Sequence, residues 1–178
     1  SDLSLANDSG ASNADGITND GTVNVNGIDS DATWEYSINS GNWVAGTGSS
    51  FVVSGLDGQK TIQVRATDIA GNVSVASSSF TLDTSVSQPV LSLANDSGAL
   101  SNDLLTNNGT VNVNGVDSDA TWEYSINSGN WVAGTGSSFV VSGSDGLQSV
   151  QVRITDLAGN VLVSSPLGRK STRLNSSH

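Results

Sequence analysis

Apolar and polar residues alternate with a period of two along most of the chain, in short runs bounded by Gly, Asn, Asp and Ser. Trp34, Tyr36 and Ile38, for example, alternate with the polar residues Glu35 and Ser37. No stretch sustains the 3.6-residue apolar period of an amphipathic helix. Because alternation is typical of strands with one buried and one solvent-facing side, the pattern predicts an all-β protein in which two sheets pack face to face.

Seven short strands are predicted in the first half of the chain, separated by turn-forming residues. The segments 39–42 and 55–58 are predicted to be tight turns, because Asn, Asp and Gly tolerate the backbone conformations that such turns need. The predicted strands lie near residues 2–7, 21–28, 32–38, 43–46, 49–54, 60–67 and 72–82.

The same pattern occurs twice. Residues 3–77 align without a gap with residues 91–165, and 59 of the 75 aligned positions are identical. A repeat of this length suits a whole small domain rather than one turn of a solenoid. The sequence therefore predicts two tandem copies of one domain, with repeat 1 at residues 1–84, a linker at 85–88 and repeat 2 at 89–167.

The identity between the repeats stops near Ser165. The last strand of repeat 2 is therefore predicted to be incomplete, and residues 168–178 are predicted to be a non-native tail outside the fold. That segment looks like translated sequencing-adapter DNA, and a native basic tail is the alternative. Because the chain starts at Ser1 within a repeat, we expect it to be an internal piece of a longer protein.

Composition excludes several kinds of chemistry. The chain has no cysteine and a single histidine, His178, which rules out disulfides, thiol catalysis and Cys/His zinc sites. Its formal net charge is −11, which disfavours nucleic acid and anionic membranes as partners. All but two of the seventeen acidic residues are Asp, the residue that suits loops and sites built from oxygen ligands.

Several motifs resemble the bacterial Ig-like repeats of giant surface adhesins, including biofilm-associated proteins and the stalks of RTX-type adhesins. They are Leu-Ala-Asn-Asp-Ser-Gly at residues 5–10, Asp-Gly-Ile-Thr-Asn-Asp-Gly at 15–21, Ala-Thr-Trp-Glu-Tyr-Ser at 32–37 and Asp-Ile-Ala-Gly-Asn at 68–72. The resemblance implies two tandem seven-strand immunoglobulin-like sandwiches, the second truncated at its last strand. It also implies an extracellular, cell-surface location and a calcium-stiffened extender that holds an adhesive domain away from the cell.

Loops alternate between the two ends of such a sandwich, so the topology predicts three groups of carboxylates. Crowded carboxylates repel one another unless a cation lies among them, and Ca²⁺ accepts about six to eight oxygen ligands. Calcium is thus the predicted cofactor. The junction group comprises Asp83, Asp117, Asp119 and Asp156; the lower-end group comprises Asp8, Asp15, Asp20 and Asp57; the upper-end group comprises Asp29, Asp31 and Asp68.

Two features qualify these metal sites. Repeat 2 has Asn108 where repeat 1 has Asp20, so a lower-end site there is predicted to be weaker. The alternative for every group is that the Asp side chains cap turns through hydrogen bonds to nearby backbone N–H groups.

No catalytic constellation is predicted, and we expect the chain not to be an enzyme. Glu35 and Glu123 are equivalent residues in separate repeats, whereas glycoside hydrolysis needs two carboxyl groups about 5–10 Å apart. Trp34 is predicted to lie in the core. Trp43 is ambiguous, because with residues 46–48 it is also a candidate for stacking on a sugar.

The sequence therefore favours a structural extender module that supports adhesion and biofilm formation, with neighbouring repeats of the same chain as partners. The alternative is an Ig-like module that binds a surface carbohydrate or host protein. No membrane contact is expected, because no apolar run approaches the roughly 20 residues of a membrane-spanning helix.

Overall fold

The computed structural model describes residues 1–171, and the regular secondary structure within that range consists of strands. The chain divides into two compact units. Unit 1 comprises Ser1–Ser85 together with Leu157–Asn160, and unit 2 comprises Val86–Asp156 and the described residues that follow Asn160. Within residues 1–171, no helix is long and apolar enough to cross a membrane.

Unit 1 contains two sheets, one of three strands in the order β1-β3-β6 and one of five in the order β2-β8-β7-β4-β5. Neighbouring strands are antiparallel except β2 and β8, which are parallel. The strands are β1 (Asp2–Leu5), β2 (Ile17–Thr18), β3 (Thr22–Asn26), β4 (Thr33–Ile38), β5 (Val44–Ala45), β6 (Ser50–Val52), β7 (Gly58–Thr67) and β8 (Val73–Leu82).

Unit 2 repeats this arrangement, with a three-stranded sheet in the order β14-β11-β9 and a second sheet in the order β10-β17-β15-β12-β13, in which β16 also pairs with β15. The strands are β9 (Val90–Leu93), β10 (Leu105–Thr106), β11 (Thr110–Asn114), β12 (Thr121–Ile126), β13 (Val132–Ala133), β14 (Ser138–Val140), β15 (Gly146–Thr155), β16 (Val161–Val163) and β17 (Leu167–Ser171).

The core of each unit forms where the inward-facing residues of the two sheets meet. In unit 1, Val23 and Val25 of β3 pack against Trp34, Ile62 and Val64 of the larger sheet, and all five are buried. The equivalent residues of unit 2 form a second, separate cluster. The period-two pattern therefore predicted both the sandwich and the buried face of its strands, and both predictions are confirmed.

The loop between the first two predicted strands contains an additional short strand. In this loop β2 pairs in parallel with β8. Thr18 of β2 is fully buried, and its hydroxyl donates a 2.8 Å hydrogen bond to the carbonyl of Asn7. Two residues are too few to produce a visible alternation, which explains why the sequence pattern predicted only a loop here.

The prediction that residues from 168 onward lie outside the fold is wrong for residues 168–171, which belong to β17. Leu167 to Ser171 pair with Val150 to Gly146 of β15, so the last strand of repeat 2 is completed after a break around Pro166. Backbone pairing does not require an apolar sequence, and proline has no N–H to donate to a ladder, which accounts for the break. The rest of the predicted tail, residues 172–178, lies outside the described residues.

The predicted turn at residues 39–42 is confirmed. Asn39 and Ser40 have φ values of 50° and 58°, and the N–H of Gly41 donates to the carbonyl of Ile38. Ser37, predicted to face solvent, is instead buried, because its hydroxyl donates a 2.9 Å hydrogen bond to the carbonyl of Gly41. The turn thus folds over the end of β4 and covers this serine.

Candidate functional site

The upper-end group of unit 1 lies in the turns that follow β3 and β7. Asp29 and Asp68 line the same surface depression. Both carboxylate oxygens of Asp68 accept hydrogen bonds from Asn72, one from its backbone N–H and one from its side-chain amide, each at 2.8 Å. The Asn72 side chain is the main cause that lowers the pKa of Asp68 below its ordinary value. Asp31 lies in the turn closed by the bond from Ala32 N–H to the Asp29 carbonyl.

Three members of the lower-end group shape the loop that contains β2. The carboxylates of Asp8, Asp15 and Asp20 accept backbone hydrogen bonds from residues 16, 17 and 22 at 3.1, 3.0 and 3.0 Å. These contacts are those expected of Asp side chains that cap turns. A carboxylate with one such bond still has lone pairs for a cation, so the capping contacts are compatible with metal binding.

One oxygen in this loop is enclosed and lacks a hydrogen-bond partner among the described residues. It is Oδ1 of Asp8, and the equivalent atom of Asp96 in unit 2 has the same environment. A buried carboxylate oxygen without a donor is costly, so its occurrence in both units fits a bound cation or water. The donor chemistry of this loop, with carboxylate and backbone oxygens, suits calcium.

Asp57, the fourth member of the lower-end group, holds the start of the linker. Its carboxylate accepts hydrogen bonds from the backbone N–H and the hydroxyl of Thr84, at 3.0 and 2.8 Å, and from the hydroxyl of Ser85, at 3.0 Å. The Thr84 hydroxyl is the main cause that lowers the pKa of Asp57. No feature of the sequence pointed to this contact, because the partners lie 27 and 28 positions apart.

The junction group is divided between the two units. In unit 1, Asp83 follows β8, and its backbone N–H donates to the carbonyl of Thr18. In unit 2, Asp117 and Asp119 belong to one turn, which is closed by a bond to the Asp117 carbonyl, and Asp156 is buried directly after β15. Within residues 1–171, no three carboxylate or imidazole groups are close enough to hold a metal ion by themselves.

Trp34 lies in the core of unit 1, as predicted, and is 6% exposed. Its indole N–H donates to the carbonyl of Gly48, and a methyl group at Gly46 would lie only 2.2 Å from the ring. Gly46 is therefore required for the Trp34 ring to pack against the backbone that directly follows β5. Trp122, Gly134 and Gly136 repeat this arrangement in unit 2.

Trp43 is part of a side-chain stack on the outer face of the larger sheet. The guanidinium of Arg65 lies 4.4 Å from the centre of the Trp43 ring, and Nε of Arg65 donates a 2.9 Å hydrogen bond to the carboxylate of Glu35. Trp131, Arg153 and Glu123 form the same stack in unit 2. Glu35 and Glu123 thus each pair with an arginine of their own repeat.

The two-sheet sandwich, antiparallel apart from one short parallel pair in each unit, surrounds a buried tryptophan and places both units in the immunoglobulin-like class of domains. Residues 1–84 match the family model of the bacterial Ig-like domain. This match covers just under half of the chain, and residues 91–165 are identical to residues 3–77 at 59 of the 75 aligned positions. No curated protein sequence is significantly similar to the chain.

Three solved structures share the general architecture. The fibronectin(III)-like modules of Clostridium thermocellum CbhA are 12% identical, with a TM-score of 0.48 and coverage of 99% of this chain and 98% of that chain. A tetra-tandem repeat in the extending region of a large adhesion protein is 18% identical, with a TM-score of 0.36 and coverage of 96% and 49%. SGBP-B from a Bacteroides ovatus mixed-linkage glucan utilization locus, in complex with a mixed-linkage heptasaccharide, is 15% identical, with a TM-score of 0.30 and coverage of 94% and 43%. The chain spans about half or less of the latter two, and at TM-scores below 0.5 none of the three supports a functional conclusion.

Proposed function

We propose that the chain is a structural extender module of a bacterial surface adhesin, stiffened by calcium at the junction between its repeats. The family match and the near-identity of the two repeats support a role in which copies of one domain are joined in series. The candidate binding loop at residues 39–50 is identical to its counterpart in repeat 2, so the two repeats show no divergence of a binding surface. Repetition without diversification is what an extender needs.

The observation that carries this proposal is that consecutive residues of the linker each make contacts with a domain. Thr84 and Ser85 are held by three hydrogen bonds to Asp57 of unit 1. The next residue, Val86, packs against the hydrophobic core of unit 2. Flexible linkers are long and rich in Gly and Ser, and they make few contacts with the domains that they join. A linker whose successive residues are each bound to a domain instead restricts bending.

Calcium would add to this restriction. The lower-end loop of each repeat offers the enclosed Oδ1 of Asp8 or Asp96, and the junction group offers Asp83 with Asp117, Asp119 and Asp156. Since three acidic groups do not converge within the described residues, an ion would also take carbonyl, amide and water oxygens, which calcium accepts readily. Weak sites, with dissociation constants of about 10⁻⁴–10⁻³ M, are sufficient in an extracellular setting.

A matched pair of substitutions tests the lower-end sites. Asp20→Asn gives repeat 1 the residue found in repeat 2, and Asn108→Asp gives repeat 2 the residue found in repeat 1. Because each additional carboxylate strengthens calcium binding, calorimetric titration should show weaker binding for D20N and tighter binding for N108D. Equal affinities in the two variants and the unsubstituted chain would contradict these sites.

The stiffening is tested by small-angle scattering with and without chelator. Calcium that binds the folded, extended form should increase the radius of gyration and raise the melting temperature. An unchanged scattering profile and an unchanged melting temperature would overturn calcium stiffening, although the extender role would still rest on the linker contacts.

A second candidate is carbohydrate binding. Each unit has a polar depression beside its core tryptophan, of about 550 Å³ in unit 1 and about 490 Å³ in unit 2, lined in unit 1 by Asn26, Asp29, Thr47 and Ser49. A glycan array separates the two functions. Binding that is lost when Thr47→Ala and Thr135→Ala are combined, which alters both depressions, would support the second candidate. The absence of binding at high protein concentration would dismiss it.

A further inference from the structure

The turn Asp-Leu-Ala-Gly-Asn at residues 156–160 closely matches the turn Asp-Ile-Ala-Gly-Asn at residues 68–72, but the two turns differ in exposure. In the turn at 68–72, Ile69 is 81% exposed and Ala70 is exposed as well. In the turn at 156–160, the alanine, Ala158, is completely buried. Nearly the same sequence is therefore covered in one place and uncovered in the other.

The cover is provided by unit 1, to which the segment Leu157–Asn160 belongs. This segment lies on the loop that contains β2. The hydroxyl of Ser9 donates a 2.6 Å hydrogen bond to the carbonyl of Ala158, and the side-chain amide of Asn19 donates to Oδ1 of Asn160 at 3.3 Å. The end loop of unit 1 is thus a specific seat for this turn, with donors placed for its carbonyl and amide oxygens.

The backbone packing in this seat requires a glycine. A methyl group added to Gly10 would overlap the carbonyl oxygen of Leu157. In unit 2 the equivalent residue is Gly98, where an added methyl group would meet no described atom within 4 Å. Repeat 2 therefore has the glycine that the seat requires, and the space over this glycine is open within the described part of the chain.

Unit 2 has a pocket of about 580 Å³ beside this glycine. The lining of the pocket includes the counterparts of the three residues that seat the turn in unit 1, namely Ser97, Gly98 and Asn107. The hydroxyl of Ser97 donates a 3.0 Å hydrogen bond to Oδ1 of Asn107, whereas that of Ser9 donates to a carbonyl of the seated turn. Rotation of the Ser97 hydroxyl would give unit 2 the same donor and would release Asn107.

We propose that the pocket of unit 2 binds the Asp-Ile-Ala-Gly-Asn turn of a further copy of this domain. The exposed turn at residues 68–72 is bound in the same way by the end loop of another copy. The inference rests on the proposed function, in which copies are joined in series, and it names the surfaces and the partner. Because the turn and the pocket are different surfaces of one chain, separate chains associate head to tail and form open arrays rather than closed dimers.

The chain is its own probe, because it has one exposed turn and one open pocket. When the concentration of isotope-labelled chain is raised, the amide resonances of Ala70 and Gly98 should shift together. One dissociation constant, in the millimolar range, should describe both shifts, since small contact surfaces bind weakly. The net charge of −11 makes two chains repel each other, so added salt should strengthen the association.

Two variants each remove one of the surfaces. Ala70→Gln adds a long neutral side chain at the position whose seated counterpart, Ala158, is completely buried, and Gly98→Ala adds a methyl group where the seat requires glycine. Each should weaken self-association at least about tenfold. The matched controls are Ala45→Gln, at another exposed alanine, and Gly136→Ala, at another glycine with a positive φ and open space around it. Both controls should leave self-association unchanged.

A mixture of the two variants separates a lost contact from misfolding. A70Q keeps its pocket and G98A keeps its turn, so the Gly98 resonance of labelled A70Q should shift when unlabelled G98A is added and should not shift when unlabelled A70Q is added. No concentration-dependent shift in the unsubstituted chain at high salt, unchanged self-association in A70Q or G98A, or no shift in the mixture would each overturn the proposal. Calcium-dependent scattering is measured in dilute solution and does not require contact between chains, so failure of self-association and failure of the extender function are distinguishable.

Discussion

At the scale of single residues, Gly46 determines how Trp34 enters the core. The missing side chain of Gly46 leaves room for the indole ring, whose nearest atom would lie 2.2 Å from an added methyl group. Gly48 has a φ of 65°, and a methyl group added to it would meet no atom within 4 Å. The two glycines are thus required for different reasons, one for packing and one for backbone conformation.

We therefore predict that alanine is more damaging at the first glycine than at the second. The double variant G46A/G134A should lose stability in both repeats near the upper end of the roughly 1–3 kcal/mol cost of overpacking. The matched variant G48A/G136A should lose about 1 kcal/mol per repeat, the cost of positive φ in a non-glycine residue. Urea unfolding measures both. A larger loss in G48A/G136A would show that ring packing is not the constraint.

Asp57 leads to a prediction about pH. Hydrogen bonds from Thr84 and Ser85 favour its ionised form, so the pKa of Asp57 in the folded protein lies below that in the unfolded chain. The anchoring is therefore present above the unfolded pKa and is lost as the pH falls through the folded pKa, below the ordinary value of 3.8. The amide resonances of Thr84 and Ser85 should shift in this acidic window and remain constant above it.

Two variants give the controls for this titration. Asp57→Asn should place the Thr84 amide in its low-pH position at neutral pH, because the charged acceptor is gone. Asp145→Asn alters the equivalent residue of repeat 2 and should leave the linker resonances and their pH dependence unchanged. If D57N and the unsubstituted chain give the same Thr84 resonance at neutral pH, Asp57 does not hold the linker.

Local residue chemistry was predictable from the sequence only where partners are close along the chain. Asp15 and Asp20 each accept a hydrogen bond from a backbone N–H two positions further along the chain. This is ordinary turn chemistry, so their capping roles could be predicted. The contact of Asp57 with Thr84 and the stack of Trp43 on Arg65 join residues that are far apart in sequence, so no local pattern contained them. The same limit applies to Asp8, whose enclosed oxygen depends on how the loop folds over it.

At the scale of elements, alternation predicted the longer strands because each buries one complete face. It failed at β2, which is too short to show a period, and at β17, whose sequence is not apolar. Strand β17 pairs along all five of its residues with β15 although it places Arg169 in the core. Backbone hydrogen bonding and the burial of Leu167 hold it there, and neither depends on the pattern of repeat 1.

The loss of stability caused by Arg169 and Ser171, which stand where repeat 1 has Phe80 and Leu82, is measurable. Arg169→Phe with Ser171→Leu should raise the stability of repeat 2 by about 2–5 kcal/mol, since it buries two apolar side chains and removes an enclosed charge. Lys170→Thr introduces the residue of repeat 1 at the neighbouring exposed position and should change stability by less than about 0.5 kcal/mol. Calorimetry that finds no gain for the double variant would show that residues 167–171 are not part of the core.

At the scale of the whole molecule, the proposed extender function depends on the linker between the two repeats. The linker of this chain has no spare residue between Ser85, bound to unit 1, and Val86, bound to the core of unit 2. The proposed calcium stiffening requires carboxylates from both repeats to share an ion, and a longer linker would make this less favourable. The proposed lower-end sites would not depend on the linker, because the residues of each belong to one repeat.

Insertion of Gly-Ser-Gly-Ser between Ser85 and Val86 separates these contributions. Because a flexible linker lowers the effective concentration of one half of the junction site relative to the other, the insertion should abolish the calcium-dependent change in the radius of gyration. Calorimetric binding at the lower-end loops should persist, and the number of ions bound should fall. Insertion of the same four residues after Gly41, in the exposed turn at residues 39–42 of unit 1, leaves Asp57 in place and is the control; it should preserve the calcium response in scattering. A calcium response that survives the linker insertion would place the stiffening inside the repeats and exclude the junction as its origin.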